Sequence, residues 1–223
     1  MAVEVFGLQL DVDAARRARW SAWLSAHERA RVARYVDARH GERYLAAHAQ
    51  LRWLLGRRLG VTPEAIEFER ATKGKPFLPG LPLRFNLSHC REFALVALHP
   101  RLEVGVDLEW IAARRDWLAL ARRFFTPGES DWLAARPAED QARAFCRLWT
   151  CKEAWMKADG RGLGAGLRTV AVHLGDRLAP ELTGAPGWRA RELAAPPDYA
   201  AAVVWAAQPD EPEVKLAWLA PPP

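Results

Sequence analysis

The sequence predicts an α+β protein in which each half is a helix packed on a small antiparallel sheet. Three observations carry this. Elements run strand, helices, strands, then helices and strands again, an order that builds segregated layers rather than a parallel α/β sheet. Two long segments place apolar residues three and four apart, the helical period, while several short ones are rich in β-branched and aromatic residues. The 223 residues exceed one average domain but fall short of two large ones, which suits two compact lobes.

The chain opens with a strand, Val3 to Leu10. Ser25 followed by Glu28 makes a capping box, so a helix is expected to about Val36. Tyr44, Ala47, Leu51, Leu54 and Leu55 form one apolar stripe on a second helix that ends near Gly60. Ile66, Phe68 and Arg70 begin an extended piece, and TKGKPFLPGLP is predicted to be a loop from its glycine and proline. RFNLSH, EFALVAL and EVGVDLEW follow as strands, with His99 and Pro100 marking the last connection.

Thr126, Pro127 and Glu129 start a helix with a cap, a first-turn proline and an acid three residues after the cap. Another helix begins at Pro137, continues through Phe145, Leu148, Trp149, Trp155 and Met156, and stops at Asp159-Gly160. After GRGLGAGL, the segments TVAVHL, WRAREL, YAAAVVWA and VKLAWL are expected to form one small antiparallel sheet.

Composition excludes several classes. Half the residues are hydrophobic and 26% are charged, which is globular rather than disordered. No apolar run reaches the roughly 18 residues of a membrane span, and MAVEVFGLQLDVD lacks a basic segment leading into a long apolar one, so a cytoplasmic, membrane-free protein is expected. Cys90, Cys146 and Cys151 are an odd set without disulfide-like or metal-like spacing and are taken as packing residues. The net charge of +5 owes much to arginines in the first 60 residues, including Arg31, Arg43 and Arg52. A solvated helix face accounts for this, and an acidic partner does as well.

Three features carry chemistry. In GVDLEW, alternation puts Val104, Val106 and Leu108 on one strand face and Asp107 with Glu109 on the other, roughly 7 Å apart. Two such carboxylates suit a hard cation, though an ordinary solvent-facing strand has the same pattern. In WTCKEAWMKADGRGL, Glu153 and Lys157 share a helical face with Trp149. A surface salt bridge is the plainer account, but the surrounding Trp, Cys and Met residues point to a buried helix, where Glu153 would be a third acid. In FNLSH, Ser88 and His89 follow the basic loop Lys73-Gly74-Lys75-Pro76. Adjacent strand residues face opposite ways and no GxSxG elbow is present, so hydroxyl, imidazole and lysine are taken as phosphate contacts, not as a nucleophile and its base.

Together, KGKPFLPGLPLRFNLSHC, GVDLEW, RFFTPGES and LWTCKEAWMKADGRGLG resemble the 4'-phosphopantetheinyl transferase superfamily, in its large surfactin-synthetase-activating type, from about Arg31 to Leu167. The resemblance implies two α+β lobes related by pseudo-twofold symmetry, with coenzyme A and Mg²⁺ in the cleft between them. It divides the chain into an N-terminal lobe, 1–102, on the coenzyme side, and a C-terminal lobe, 103–223, holding the metal and the catalytic acids. It implies Asp107, Glu109 and Glu153 as metal-binding acids, Mn²⁺ being an alternative ion, and Lys157 beside the pyrophosphate as 3',5'-ADP departs. Ser88 and His89 would contact phosphates, Lys75 and Pro76 the adenine, and Arg31 and Arg43 the 3'-phosphate, where Tyr44 replaces the small hydroxyl residue of some members. Glu153 would take the proton of a serine on an apo acyl or peptidyl carrier protein, directly or through water. A monomer is expected, since one chain supplies both lobes.

Two other functions compete. A metal-dependent nuclease also combines acids with a lysine, but its commonest motif places them two apart on a strand, whereas Glu153 and Lys157 are four apart on a helix. Eleven tryptophans and many arginines raise a nucleic-acid-binding module, yet Trp53, Trp149 and Trp155 fall at amphipathic core positions, so no nucleic-acid partner is expected.

Overall fold

The computed structural model describes residues 1–112, 115–160, 166–175 and 179–223. In chain order the elements are β1 (Val3–Gln9), α1 (Ala14–Ser21), α2 (Ala26–Val32), α3 (Ala38–Leu59), a 3-10 turn at Pro63–Ala65, β2 (Glu69–Arg70), β3 (Pro76–Phe77), β4 (Arg84–Cys90), β5 (Phe93–His99) and β6 (Val104–Trp110). Then come α4 (Trp117–Phe124), α5 (Pro127–Ala134), α6 (Ala138–Asp159), β7 (Ala171–His173), β8 (Glu181–Thr183), β9 (Trp188–Glu192), β10 (Tyr199–Ala206) and β11 (Val214–Leu219).

The architecture is α+β, in four layers. One sheet has the order β11-β1-β5-β4 and a second has β6-β10-β9. The 22-residue helix α3 covers the outer face of the first sheet, packing Leu51 and Leu55 against Leu8, Phe85 and Val96. The 22-residue helix α6 covers the outer face of the second, packing Leu148, Ala154 and Met156 against Ala190, Ala202 and Val204. Between the sheets lies a third core, built from Val5, Leu95 and Ala97 on one side and Val106, Leu108 and Val203 on the other. Strand alternation supplies both faces of one strand: in β10, Ala202 and Val204 meet α6 while Ala201 and Val203 turn inward.

Local chemistry fixes the helix ends. Ser25 and Thr126 both form capping boxes, with Glu28 and Glu129 returning to the cap N–H. Gly60 and Gly160 end α3 and α6 in the left-handed conformation at φ 71° and 74°. Gly105 serves a different need, because a Cβ there would stand 2.1 Å from the Ala154 carbonyl oxygen and 2.4 Å from the Ala158 nitrogen. Helix α6 therefore lies directly on the backbone of β6.

The structure departs from the sequence expectations in four places. The helix from the Ser25 cap ends at Val32 rather than near Val36. The predicted loop at 72–82 includes strand β3, which pairs with β2 as a two-rung hairpin. Helices α1 and α4 were not anticipated. The four C-terminal segments do not share one sheet: β7 pairs with β8, β9 and β10 join β6, and β11 runs parallel to β1, Val3 opposite Val214, at the edge of the first sheet. That sheet is accordingly mixed, and residues 214–219 pack with the strands of the N-terminal half.

Candidate active site in the cleft

Strand β6 turns Asp107 and Glu109 toward α6, opposite Val106 and Leu108, which enter the core between the sheets. On α6, Trp149, Glu153 and Lys157 recur every four residues and face that pair. Trp149 lies beside Glu109 on the lining of a shared recess. Strand β4 approaches β6 alongside, with Asn86 and Ser88 two apart and therefore on one face. Asn86 Oδ1 accepts from the Val106 N–H at 2.9 Å, which ties the two sheets at the site.

A lysine, a carboxylate and a hydroxyl form the centre. Lys157 Nζ donates to Asp107 Oδ1 at 2.6 Å and to Ser88 Oγ at 2.9 Å, and Ser88 Oγ donates to Asp107 Oδ1 at 2.8 Å. Asp107 Oδ2 is buried without a hydrogen-bond partner among the described residues. The other two acids sit in a poorly solvated setting. Burial pushes the Glu109 carboxyl up to about 7, with the neighbouring Asp107 charge adding to it. Burial and Asp107 push Glu153 up to about 7 as well.

These acids fit a hard cation chemically: a buried orphan oxygen and two carboxyls raised by burial and by neighbouring acids are what such an ion would satisfy. They are not gathered into a ready cage, since among the described residues no three His, Cys, Asp or Glu side chains converge closely enough to hold an ion. The reason is local. Asp107 spends one oxygen on Lys157 and Ser88, and Glu109 accepts from the Cys90 thiol at 3.8 Å.

Beside this centre opens a cavity of about 390 Å³. Lys73, Lys75 and Pro76 form one wall, Glu153, Met156 and Lys157 the other, and Asn86 and Leu87 lie between. His89 follows Ser88 on the opposite strand face, with Tyr44 edge-on at 6.4 Å between ring centroids. Desolvation, then the charges of His48, Lys157 and Arg31, push His89 down to about 4. Arg31 stands 5.0 Å over the Tyr44 ring, which stacks on His48 at 4.0 Å.

Asp107, Glu109, Glu153, Lys157 and Ser88 are thus brought together, Lys75 and Pro76 line the adjoining cavity, and Arg31 and His89 flank Tyr44. Arg43 stands apart. It is buried in a two-point ion pair with Asp11, at 2.7 and 2.8 Å, with Glu92 at 3.4 Å, one residue around the helix from Tyr44. The GRGLG end of the last motif, 161–164, lies outside the described residues.

Two features escaped sequence reasoning. Asn86 could have been found, since it shares the β4 face with Ser88. Lys152 could not, because a lysine beside Glu153 reads as exposed. Its side chain is in fact 1% exposed and pairs at 2.8 Å with Glu129, itself 3% exposed, while donating to the carbonyls of Leu167 and Val170.

Residues 103–204 match the sequence profile of the 4'-phosphopantetheinyl transferase superfamily, and residues 15–101 match that of the 4'-phosphopantetheinyl transferase N-terminal region. The chain is similar to 4'-phosphopantetheinyl transferase HetI of Nostoc sp., 36% identical over 205 residues that cover 90% of this chain and 86% of the relative. It is also similar to 4'-phosphopantetheinyl transferase Sfp of Bacillus subtilis, 28% identical over 214 residues, with 88% and 94% covered. With 4'-phosphopantetheinyl transferase AcpT of Salmonella typhimurium the identity is 43% over 122 residues, with 54% and 60% covered.

Proposed function

Because the chain belongs to the 4'-phosphopantetheinyl transferase superfamily, we propose that it moves the phosphopantetheine arm of coenzyme A onto a serine of an apo acyl or peptidyl carrier protein, releasing 3',5'-ADP, in the cleft lined by Glu153 and Lys157. One observation supports the placement: Lys157, Asp107 and Ser88 form a hydrogen-bonded cluster whose lysine lines a cavity shared with Glu153, Lys75 and Pro76.

In this scheme the adenine end lies by Lys75 and Pro76, and Ser88, His89, Arg31 and Lys157 supply donors to the phosphates. Arg43 would reach a 3'-phosphate only by leaving Asp11. The carrier serine oxygen forms a bond to the phosphorus that carries the pantetheine, and the bond from that phosphorus to the bridging oxygen breaks. The departing 3',5'-ADP takes the electron pair, and Lys157 stabilises its charge. Glu153 accepts the serine proton, a task suited to a carboxyl raised toward neutrality. Asp107, Glu109 and Glu153 would hold Mg²⁺, or Mn²⁺, which when bound would neutralise diphosphate charge. Residues 1–102 would serve the coenzyme side and 103–223 the acids, in a monomeric, cytoplasmic enzyme without a nucleic-acid partner.

The test is incubation with coenzyme A, Mg²⁺ and a panel of apo carrier proteins, following each carrier's mass. A gain of one phosphopantetheine on at least one carrier is expected; no gain on any, with the chain folded, would refute the proposal. Mg²⁺-dependent cleavage of DNA or RNA instead would favour the nuclease.

A further inference from the structure

The hairpin β2–β3 has only two rungs, Glu69 opposite Phe77 and Arg70 opposite Pro76, too few to hold a position by themselves. Its tip is internally ordered, with the Ala71 N–H on the Lys75 carbonyl at 2.9 Å, the Gly74 N–H on the Ala71 carbonyl at 2.7 Å, and Gly74 at φ 88°. What anchors that tip to the rest of the molecule is the Lys75 side chain. Its ammonium donates to Glu103 Oε2 at 2.7 Å, to the Ala158 carbonyl at 2.8 Å and to the Val104 carbonyl at 3.3 Å. An ammonium has three protons, so all are spent within the protein.

The acceptors are well chosen. Ala158 lies in the last turn of α6, where a carbonyl has no N–H donor inside the helix and where the helix dipole is negative. Val104 opens β6 and Glu103 precedes it, with Arg84 Nε at 3.1 Å from the other Glu103 oxygen. We propose that Lys75 is a positioning residue: its ammonium clasps the hairpin tip to β6 and to the end of α6, and thereby fixes the cleft wall against which the coenzyme binds. This rests on the transferase function proposed above. It replaces the expectation of a lysine that offers its charge to the ligand.

Glu103 separates the two roles, because it lies on a neighbouring recess and not on the wall of the main cavity. The test uses the whole chain with Glu103→Ala, Lys75→Met, Lys75→Arg and the Glu103→Ala/Lys75→Met double variant. Hydrogen exchange of the 71–77 amides is measured without coenzyme, and KM for coenzyme A and kcat are measured with carrier. A clasp predicts that Glu103→Ala speeds exchange and raises KM about fivefold with kcat within twofold, that Lys75→Arg recovers part of the loss, and that the double variant is no worse than Lys75→Met, as for groups in one network. Unchanged exchange or unchanged KM in Glu103→Ala, or single effects on KM that multiply, would overturn it. If Lys75→Met does not fold, the part-exposed Glu103 substitution decides through both readouts. If the wild type transfers nothing, the function fails while exchange still decides whether the clasp exists.

Discussion

In the proposed mechanism Glu153 is the proton acceptor, and its desolvated setting beside Asp107 costs stability. Replacing it by glutamine removes the proton acceptor and a buried like charge, so transfer should fall at least ~10²-fold while the melting temperature holds or rises. A mass assay and a thermal melt check both; near-normal turnover would remove Glu153 as the base. Glu109 and Glu153 together set a pH dependence. Both are raised to about 7 from an ordinary 4.5, so the folded state binds their protons more tightly than the unfolded state does. Stability contributed by these groups is therefore present below about 4.5 and lost as pH rises toward 7. Melting of the substrate-free protein at pH 4.5–8 should show that decline, and a Glu109→Gln/Glu153→Gln variant should flatten it. At this scale the sequence was informative where a period exposed the side chains. Asp107 with Glu109 at two, and Glu153 with Lys157 at four, do face one another across β6 and α6, though not as a closed cage. Arg43 reads like any helix arginine, and only the folded position of Asp11, 32 residues away in sequence, decides where its charge goes.

Among elements, the contact of α6 with β6 is the tightest in the site. Gly105→Ala should push the helix from the strand, because the added carbon meets the α6 backbone at both Ala154 and Ala158. We expect a loss of about 1–3 kcal/mol, read by urea melting, with transfer reduced as Glu153 is displaced from Asp107. Lys152→Met removes one partner of a buried pair and leaves Glu129 charged in the core. It should cost about 3–5 kcal/mol by the same measurement; an effect below about 1 kcal/mol would mean that the pair behaves like a surface one. Elements with a strong start signal were legible, as the boxes at Ser25 and Thr126 and the stop at Gly160 show. Helix α1 was not, since AARRARWS buries Trp20 alone and offers no stripe to recognise. The buried lysine, too, becomes intelligible only with the Leu167 and Val170 carbonyls in place around it.

For the whole molecule, the charge of +5 bears on encounter rather than on shape. If the carrier is acidic, raising salt from low to physiological strength should raise its apparent KM, and an unchanged value would separate the arginines from partner attraction. The layer order followed from the alternation of strands and helices, but the destination of VKLAWL did not. Its alternation is compatible with any sheet edge, and the choice of β1 is made by pairing across nearly the whole chain. That pairing also dictates a timetable. As the polypeptide leaves the ribosome, β1 emerges long before β11 and must wait with one flank bare until residues 214–219 arrive. Throughout that interval the nascent N-terminal half presents an open strand edge as a template for mispairing, a hazard that ends at this flank only when β11 docks.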